Sequence, residues 1–157
     1  MDAIDLQILT ALQKDGRSTF ADLAQGVGLS PPAVAERIRK LEEKGIVQGY
    51  TAILNAKKLQ LDITAFISVS VSHPRHDPPF VEEISQWGEV LECHHVLGPD
   101  DYLLKVRVHD TAALEDLIMG RLRMLEGVTR TRTTIVLSTV KEGSAMDLEH
   151  LKERASY

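Results

Sequence analysis

The sequence predicts an α+β protein: three short helices in a helix-turn-helix arrangement, followed by a ferredoxin-like βαββαβ unit. Three observations carry this expectation. Apolar residues recur at helical spacing from Ile4 to Leu41, in three runs separated by glycine-containing turns. From Asp62 the apolar period changes to two. Beyond that point, alternating and helical runs succeed one another in the order β-α-β-β-α-β, the split βαβ arrangement.

The first helix is read from Ile4, Ile8, Ala11 and Leu12, with Leu9 widening the stripe. It starts near Asp2, whose charge suits a helix N-terminus, and Gly16 is its expected stop. Thr19 with Asp22 three residues on forms a capping box for a second helix, striped by Leu23, Ala24 and Val27. Gly26-Val27-Gly28 then turns the chain. Ser30 is an N-cap and Pro31 a first-turn proline, so a third helix begins there. Val34, Ile38 and Leu41 form its buried stripe, and Gly45 ends it. Residues 51–61 read as a connecting strand or linker.

In Ile63–Ser72, Ile63, Ala65, Ile67, Val69 and Val71 face one way, and the intervening polar residues and Phe66 face the other. His73–Pro79 holds three prolines and reads as a loop. Phe80, Ile84 and Trp87 stripe a helix closed by Gly88. Val90–Leu97 is a second strand, Gly98-Pro99-Asp100-Asp101 a tight turn, and Tyr102–His109 a third strand. Leu114, Leu117, Ile118, Leu122 and Leu125 stripe a helix that Thr111 can cap and Gly127 can close. Val128–Val140 is a long β-branched strand. Both helices would cover one face of this sheet. The other face, with Phe66, Leu103, Ile135 or Val136, must meet something. The tail from Lys141 reads as a short helix or a partly disordered end.

Composition bounds the function. The chain has 157 residues, 43% of them hydrophobic and 26% charged, which suits one ordinary domain or two small ones. No apolar run approaches the roughly 18 residues of a membrane span. The acidic start is unlike a secretory signal, so a cytoplasmic location is expected. One cysteine, Cys93, excludes an internal disulfide framework and a multi-cysteine zinc site. The net charge of −5 conceals an asymmetry: residues 1–60 carry 8 basic and 7 acidic side chains, and the remainder 10 and 16. DNA affinity follows the local basic footprint, so the total does not forbid it.

The helix beginning at Ser30 is the first candidate site. A recognition helix turns its N-terminal part toward base edges in the major groove. Ser30, Pro32, Ala33, Glu36 and Arg37 would lie there, with Arg37 suited to guanine and Arg39 and Lys40 to phosphates. A solvated charged face with internal Glu–Lys pairs is the plain alternative, and the three-helix layout favours DNA. The second candidate is Gly98–Tyr102, whose paired carboxylates could meet an ammonium group, against the alternative of a plain hairpin turn. His94 and His95 point to opposite faces, Cys93 and His95 lack a third ligand, and no metal or cofactor is expected. No phosphate loop, nucleophile motif or HExxH stands in the sequence, so an enzyme is not expected.

Several segments together resemble the Lrp/AsnC family, the feast/famine transcription regulators. They are Ile4–Leu9, Leu12–Arg17, Val27–Pro31 and Glu36–Glu42, then Gly45–Ala52 at the domain junction. In the second half, Glu92-Cys93-His94, Gly98–Leu104 and Leu125–Val128 with Thr131-Arg132-Thr133 match its ligand-sensing domain. The resemblance runs from residue 1 to about residue 142 in order.

It implies a winged helix-turn-helix domain (1–50), a hinge strand or linker (51–61), a ligand-sensing and oligomerisation αβ-sandwich called the regulation-of-amino-acid-metabolism domain (62–142) and a C-terminal tail (143–157). It implies double-stranded DNA as partner, homodimers formed through the sheets and often assembled to octamers, and an amino-acid effector bound between subunits. The implied effector residues are His95, Leu97, Gly98, Pro99, Asp100, Asp101 and Tyr102, faced by Thr133, Thr134 and Ile135. Pro99-Asp100 replaces the family's usual acidic-aromatic pair, Thr134 stands where some members carry a larger residue, and Pro32 stiffens the start of the recognition helix. These departures point to a different effector or weaker binding, and to a different base preference. Two alternatives stand beside this reading: an architectural DNA-binding protein without metabolite response, and a small-molecule-binding α+β module or enzyme.

Overall fold

A computed structural model describes residues 1–149 and 151. The chain divides into two compact units, one of Met1–Ile53 with the segment that begins at Lys141, the other of Leu54–Val140.

The first unit is built on α1 (Ala3–Lys14), α2 (Phe20–Val27) and α3 (Pro31–Glu43). Each start is capped by a side chain. Asp2 and Thr19 form reciprocal capping boxes with Asp5 and Asp22, and the Ser30 hydroxyl accepts from the Ala33 amide ahead of Pro31. Ile8, Leu23, Ala24, Val34 and Ile38 form the core, so one residue row of each helix is buried. Gly28 at φ 70 and Gly45 at φ 67 take the left-handed conformation that ends α2 and α3. Gly16 does not: α1 ends at Asp15 in extended geometry, and Gly16 lies against the Tyr50 ring. The segment from Lys141 is tied to α1 by Gln13, whose amide donates to the Met146 carbonyl at 3.1 Å and accepts from its amide at 2.7 Å. The rest of the expected tail, residues 150 and 152–157, lies outside the described residues.

Residues 48–55 belong to no helix or strand, so the connecting strand allowed for in 51–61 does not form. A 3-10 turn at Lys57–Leu59 stands there instead, closed by Gln60 at φ 60.

The second unit comprises β1 (Ile63–Val71), α4 (Asp77–Ser85), β2 (Val90–His95), β3 (Tyr102–Val108), α5 (Thr111–Glu115) and β4 (Val128–Ile135). The strands form an antiparallel sheet in the order β2-β3-β1-β4. Ala65, Ile67 and Val69 of β1 and Tyr102, Leu104, Val106 and Val108 of β3 pack against Phe80, Ile84, Trp87, Leu114, Leu117 and Leu122. The period-two pattern thus sorts a helix-covered face from an open one.

Four local expectations are corrected. The prolines of 73–79 initiate structure: a 3-10 turn at Pro74–His76 runs into α4, whose first turn takes Pro78 and Pro79, where missing amide hydrogens cost nothing. Asp110, not Thr111, caps α5 through the Ala113 amide. After Glu115 the helix widens into a π turn over Asp116–Arg121 and tightens to 3-10 at Leu122–Met124, so it is not one continuous α-helix. Strands β2 and β4 stop at His95 and Ile135, short of Leu97 and Val140: β3, the partner of β2, begins at Tyr102 opposite His95, and β1, the partner of β4, begins at Ile63.

Candidate nucleic-acid interface and effector site

Helix α3 enters through the Gly28 turn with Ser30, Pro32 and Glu36 exposed and Ala33 half-buried. Its basic residues fall into two kinds of contact. Arg39 donates to Glu36 through Nε at 2.9 Å and Nη2 at 2.7 Å, and also pairs with Glu43; Lys40 stands 3.4 Å from Glu36. These pairs lie within one helix, and all four side chains are about half exposed. The Arg39 guanidinium holds the Glu36 carboxyl down at about 2. Such solvated pairs are weak and exchangeable, so they do not bar Arg39 and Lys40 from phosphates. Arg37 is different. Its Nη1 donates to Asp2 at 2.8 Å and to Asp5 at 2.7 Å, both on the first turn of α1. The sequence pattern missed this cross-helix contact, because no spacing rule links residues 32 and 35 positions apart.

At the other candidate, the β2–β3 turn is fastened to its neighbours. The Asp101 amide donates to the Val69 carbonyl at 2.9 Å, and its carboxylate accepts from the Val71 amide at 2.7 Å. Asp100 is 6% exposed. It accepts from the Ser70 hydroxyl at 2.8 Å and from Arg130 at 2.9 Å, and pairs with Arg132. The Ser70 hydroxyl and the two guanidiniums hold its carboxyl below the usual range. Both carboxylates of the turn are therefore engaged within the chain, which departs from the expectation that the pair stands ready for an ammonium group. Tyr102 points into the core, 4.7 Å from the Phe80 ring, with His95 stacked on it at 4.9 Å. Burial, then the Asp77 carboxylate, pushes its phenol up to about 12. Leu97 and Pro99 at the tip are exposed, and nothing crowds Gly98.

Thr133, Thr134 and Ile135 do not join this turn within one chain. They pair with Ile67, Phe66 and Ala65, two or more residues down β1 from the turn's anchors, roughly 7 Å or further at the spacing of a strand. They also alternate: Thr134 shares the open face with Phe66, while Thr133 and Ile135 share the helix-covered face with Ile67 and Ala65. Ile135 thus leaves the open-face set. That set contains Phe66 and Leu103, with Val136 beside Thr64. Ser70, Arg130 and Arg132, none of them expected from the sequence as a site residue, share a face only through the β1–β4 register.

His94 lies opposite Leu103 on the open face, and Cys93 and His95 opposite Leu104 and Tyr102 on the covered one. Among the described residues, no three His, Cys, Asp or Glu side chains converge as a metal site would require. No helix among them is long and apolar enough to cross a membrane.

Comparison with known proteins follows the same division. The winged helix-turn-helix DNA-binding family matches residues 1–48, and the Lrp/AsnC ligand binding domain matches residues 64–146. The leucine-responsive regulatory proteins of Klebsiella pneumoniae and of Escherichia coli strain K12 are each 40% identical over 148 residues, covering 93% of this chain and 90% of theirs. A transcriptional regulator from Neisseria meningitidis, solved as a complex with L-Met, is similar with a TM-score of 0.92 and 34% identity, over 96% of this chain and 99% of that one.

Proposed function

The chain belongs to the Lrp/AsnC family of DNA-binding transcriptional regulators, and from that premise we propose how its surfaces divide the task. It is a regulator rather than an enzyme, with a DNA-binding domain and an amino-acid-binding one. Acting in the cytoplasm, a homodimer presents two copies of α3 to a pseudo-palindromic site with half-sites about one helical turn, or a multiple of it, apart. Dimers assemble further, to octamers, and such an assembly adds avidity and bends DNA. Ser30, Pro32, Ala33 and Glu36 face the groove, and Arg39 and Lys40 take phosphates. The observation that supports this most is the exposed outer face of α3, whose cations sit in exchangeable pairs.

The effector is an amino acid held between subunits. One subunit contributes the tip of the β2–β3 turn, His95, Leu97, Gly98 and Pro99, with Asp100, Asp101 and Tyr102 fixing its shape. Another contributes the Thr133–Ile135 segment. That Thr133 and Ile135 lie away from the turn within one chain supports a site shared by two chains. Binding there shifts the assembly only as far as it prefers one state.

A thermal-shift screen of the twenty amino acids tests this. Ligand at about 100 times its Kd stabilises by about 2.7 kcal/mol, roughly a 5–11 °C rise for a chain this size. An Asp101→Ala variant should bind DNA yet lose that response. A flat screen with steeply salt-dependent DNA binding would favour an architectural protein without effector, a reading that the engaged Asp100 favours.

A further inference from the structure

We propose that Arg37 is a positioning residue: it sets the presentation of the recognition helix by clamping α3 to the start of α1, and it does not read bases. This rests on the DNA-binding reading above.

Three features of the contact carry the inference. First, Arg37 reaches another helix, whereas Arg39 and Lys40 pair within α3 and can fix nothing but their own rotamers. Second, its acceptors are themselves immobilised. The Asp2 carboxylate accepts from the Asp5 amide at 2.9 Å, and the Asp5 carboxylate from the Asp2 amide at 3.0 Å. The guanidinium therefore grips a cap bonded into the backbone of α1. Third, the contact is partly withdrawn from water. Asp5 is 15% and Arg37 29% exposed, against 48–59% for the pairs within α3; Asp2, at 53%, is the solvated arm, so the withdrawal rests on Asp5. Drawing Arg37 away to a guanine would leave a mostly buried carboxylate without its cation, a change far dearer than exchanging a solvated pair.

The placement suits the task. Arg37 sits one residue before Ile38 and three after Val34, the two α3 side chains in the helical core. The hydrophobic row holds α3 against its neighbours but resists sliding and rolling poorly, because it is non-directional. A bifurcated charge-assisted bond supplies the missing direction. It fixes how the first two turns, from Ser30 to Glu36, meet a groove.

The test needs wild-type protein that selects a duplex from a random-sequence pool. Failure at that step would refute the DNA reading, not the clamp. On the selected duplex, affinity and its salt slope are measured for Arg37→Ala, for Asp2→Asn with Asp5→Asn, and for all three together. Asparagine keeps both capping acceptors, so the aspartate variant folds even where Arg37→Ala does not. The clamp predicts that both variants lose affinity about tenfold, within the range of coupled groups. It predicts an unchanged salt slope, and a triple variant no worse than Arg37→Ala. A slope smaller by about 1 in Arg37→Ala, with tighter binding by the aspartate variant, would mean a direct DNA contact and overturn the proposal. Unchanged affinity of the folded variants, with only a lower melting temperature, would make the contact merely structural and overturn it equally.

Discussion

On α3, Arg39 shares a guanidinium with two glutamates while all three side chains stay about half exposed; in the β2–β3 turn, Asp100 is buried and two arginines close over it. The same kinds of charge are in use, but the first set is solvated and exchangeable and the second is fixed into a sheet. The difference matches the roles proposed above for the two surfaces. On that proposal the α3 face trades its partners for phosphates, whereas the β2–β3 turn keeps its shape while a ligand comes and goes.

The largest test attacks that frame. Ile67→Ala removes a fully buried side chain from the middle of the sheet and should cost about 2–5 kcal/mol in urea unfolding. Next comes a matched pair of glycines, one in each unit. Gly28→Ala places a Cβ in open space and should cost about 1–2 kcal/mol for the left-handed backbone alone. Gly127→Ala carries the same backbone penalty at φ 89, and its Cβ would also meet the buried His76 at 2.5 Å, which should add about 1–3 kcal/mol. Equal costs would erase the contrast between an open unit and a packed one.

Titration sharpens it. The raised Tyr102 phenol contributes stability that is complete below its unfolded value of 10.0 and lost as pH rises toward about 12. Burial and then Glu42 also raise the Tyr50 phenol, so absorbance at 295 nm should lose its latest-ionising step in Tyr102→Phe but keep it in Tyr50→Phe, with the urea midpoint of wild type falling over that step. Asp100 works in the other direction. Its contribution is present above the unfolded value of 3.8 and lost as pH falls through its lower folded one, so Asp100→Asn should flatten the acid limb. The smallest effect is expected from Arg39→Ala, whose urea midpoint should match wild type because its pairs are solvated. Its salt slope on DNA should nonetheless fall by about 1.

The first unit was legible because its signals are local. Asp2, Thr19 and Ser30 announce their helices within three residues, and Gly28 and Gly45 announce two of the ends. Gly16 marked the end of α1 at Lys14, but the stop is made by Asp15 in extended geometry and not by a left-handed glycine. In the second unit, alternation revealed β1 and β3 and the faces they bury. The partners of Asp100 stayed hidden, since Arg130 and Arg132 meet it only through the β1–β4 register. The partners of Arg37 stayed hidden for the same reason: the contact is tertiary, and only the helix that carries it is written locally. The prolines before Phe80 read as a loop because proline marks turns as readily as first helical turns.

Edge strand β4 is bonded along one side only, to β1, and its two ends are held differently. At its start, Arg130 and Arg132 are stapled across β1 to Asp100. Beyond Ile135 a single backbone bond, from the Val136 amide to the Thr64 carbonyl at 2.9 Å, is the last to β1 among the described residues. Peeling should therefore run like a zip with one jammed end, opening from Ile135 toward Val128. In native-state hydrogen exchange, protection along β4 should rise toward Arg130, and under mechanical load the last contact to give way should be the staple rather than the ladder.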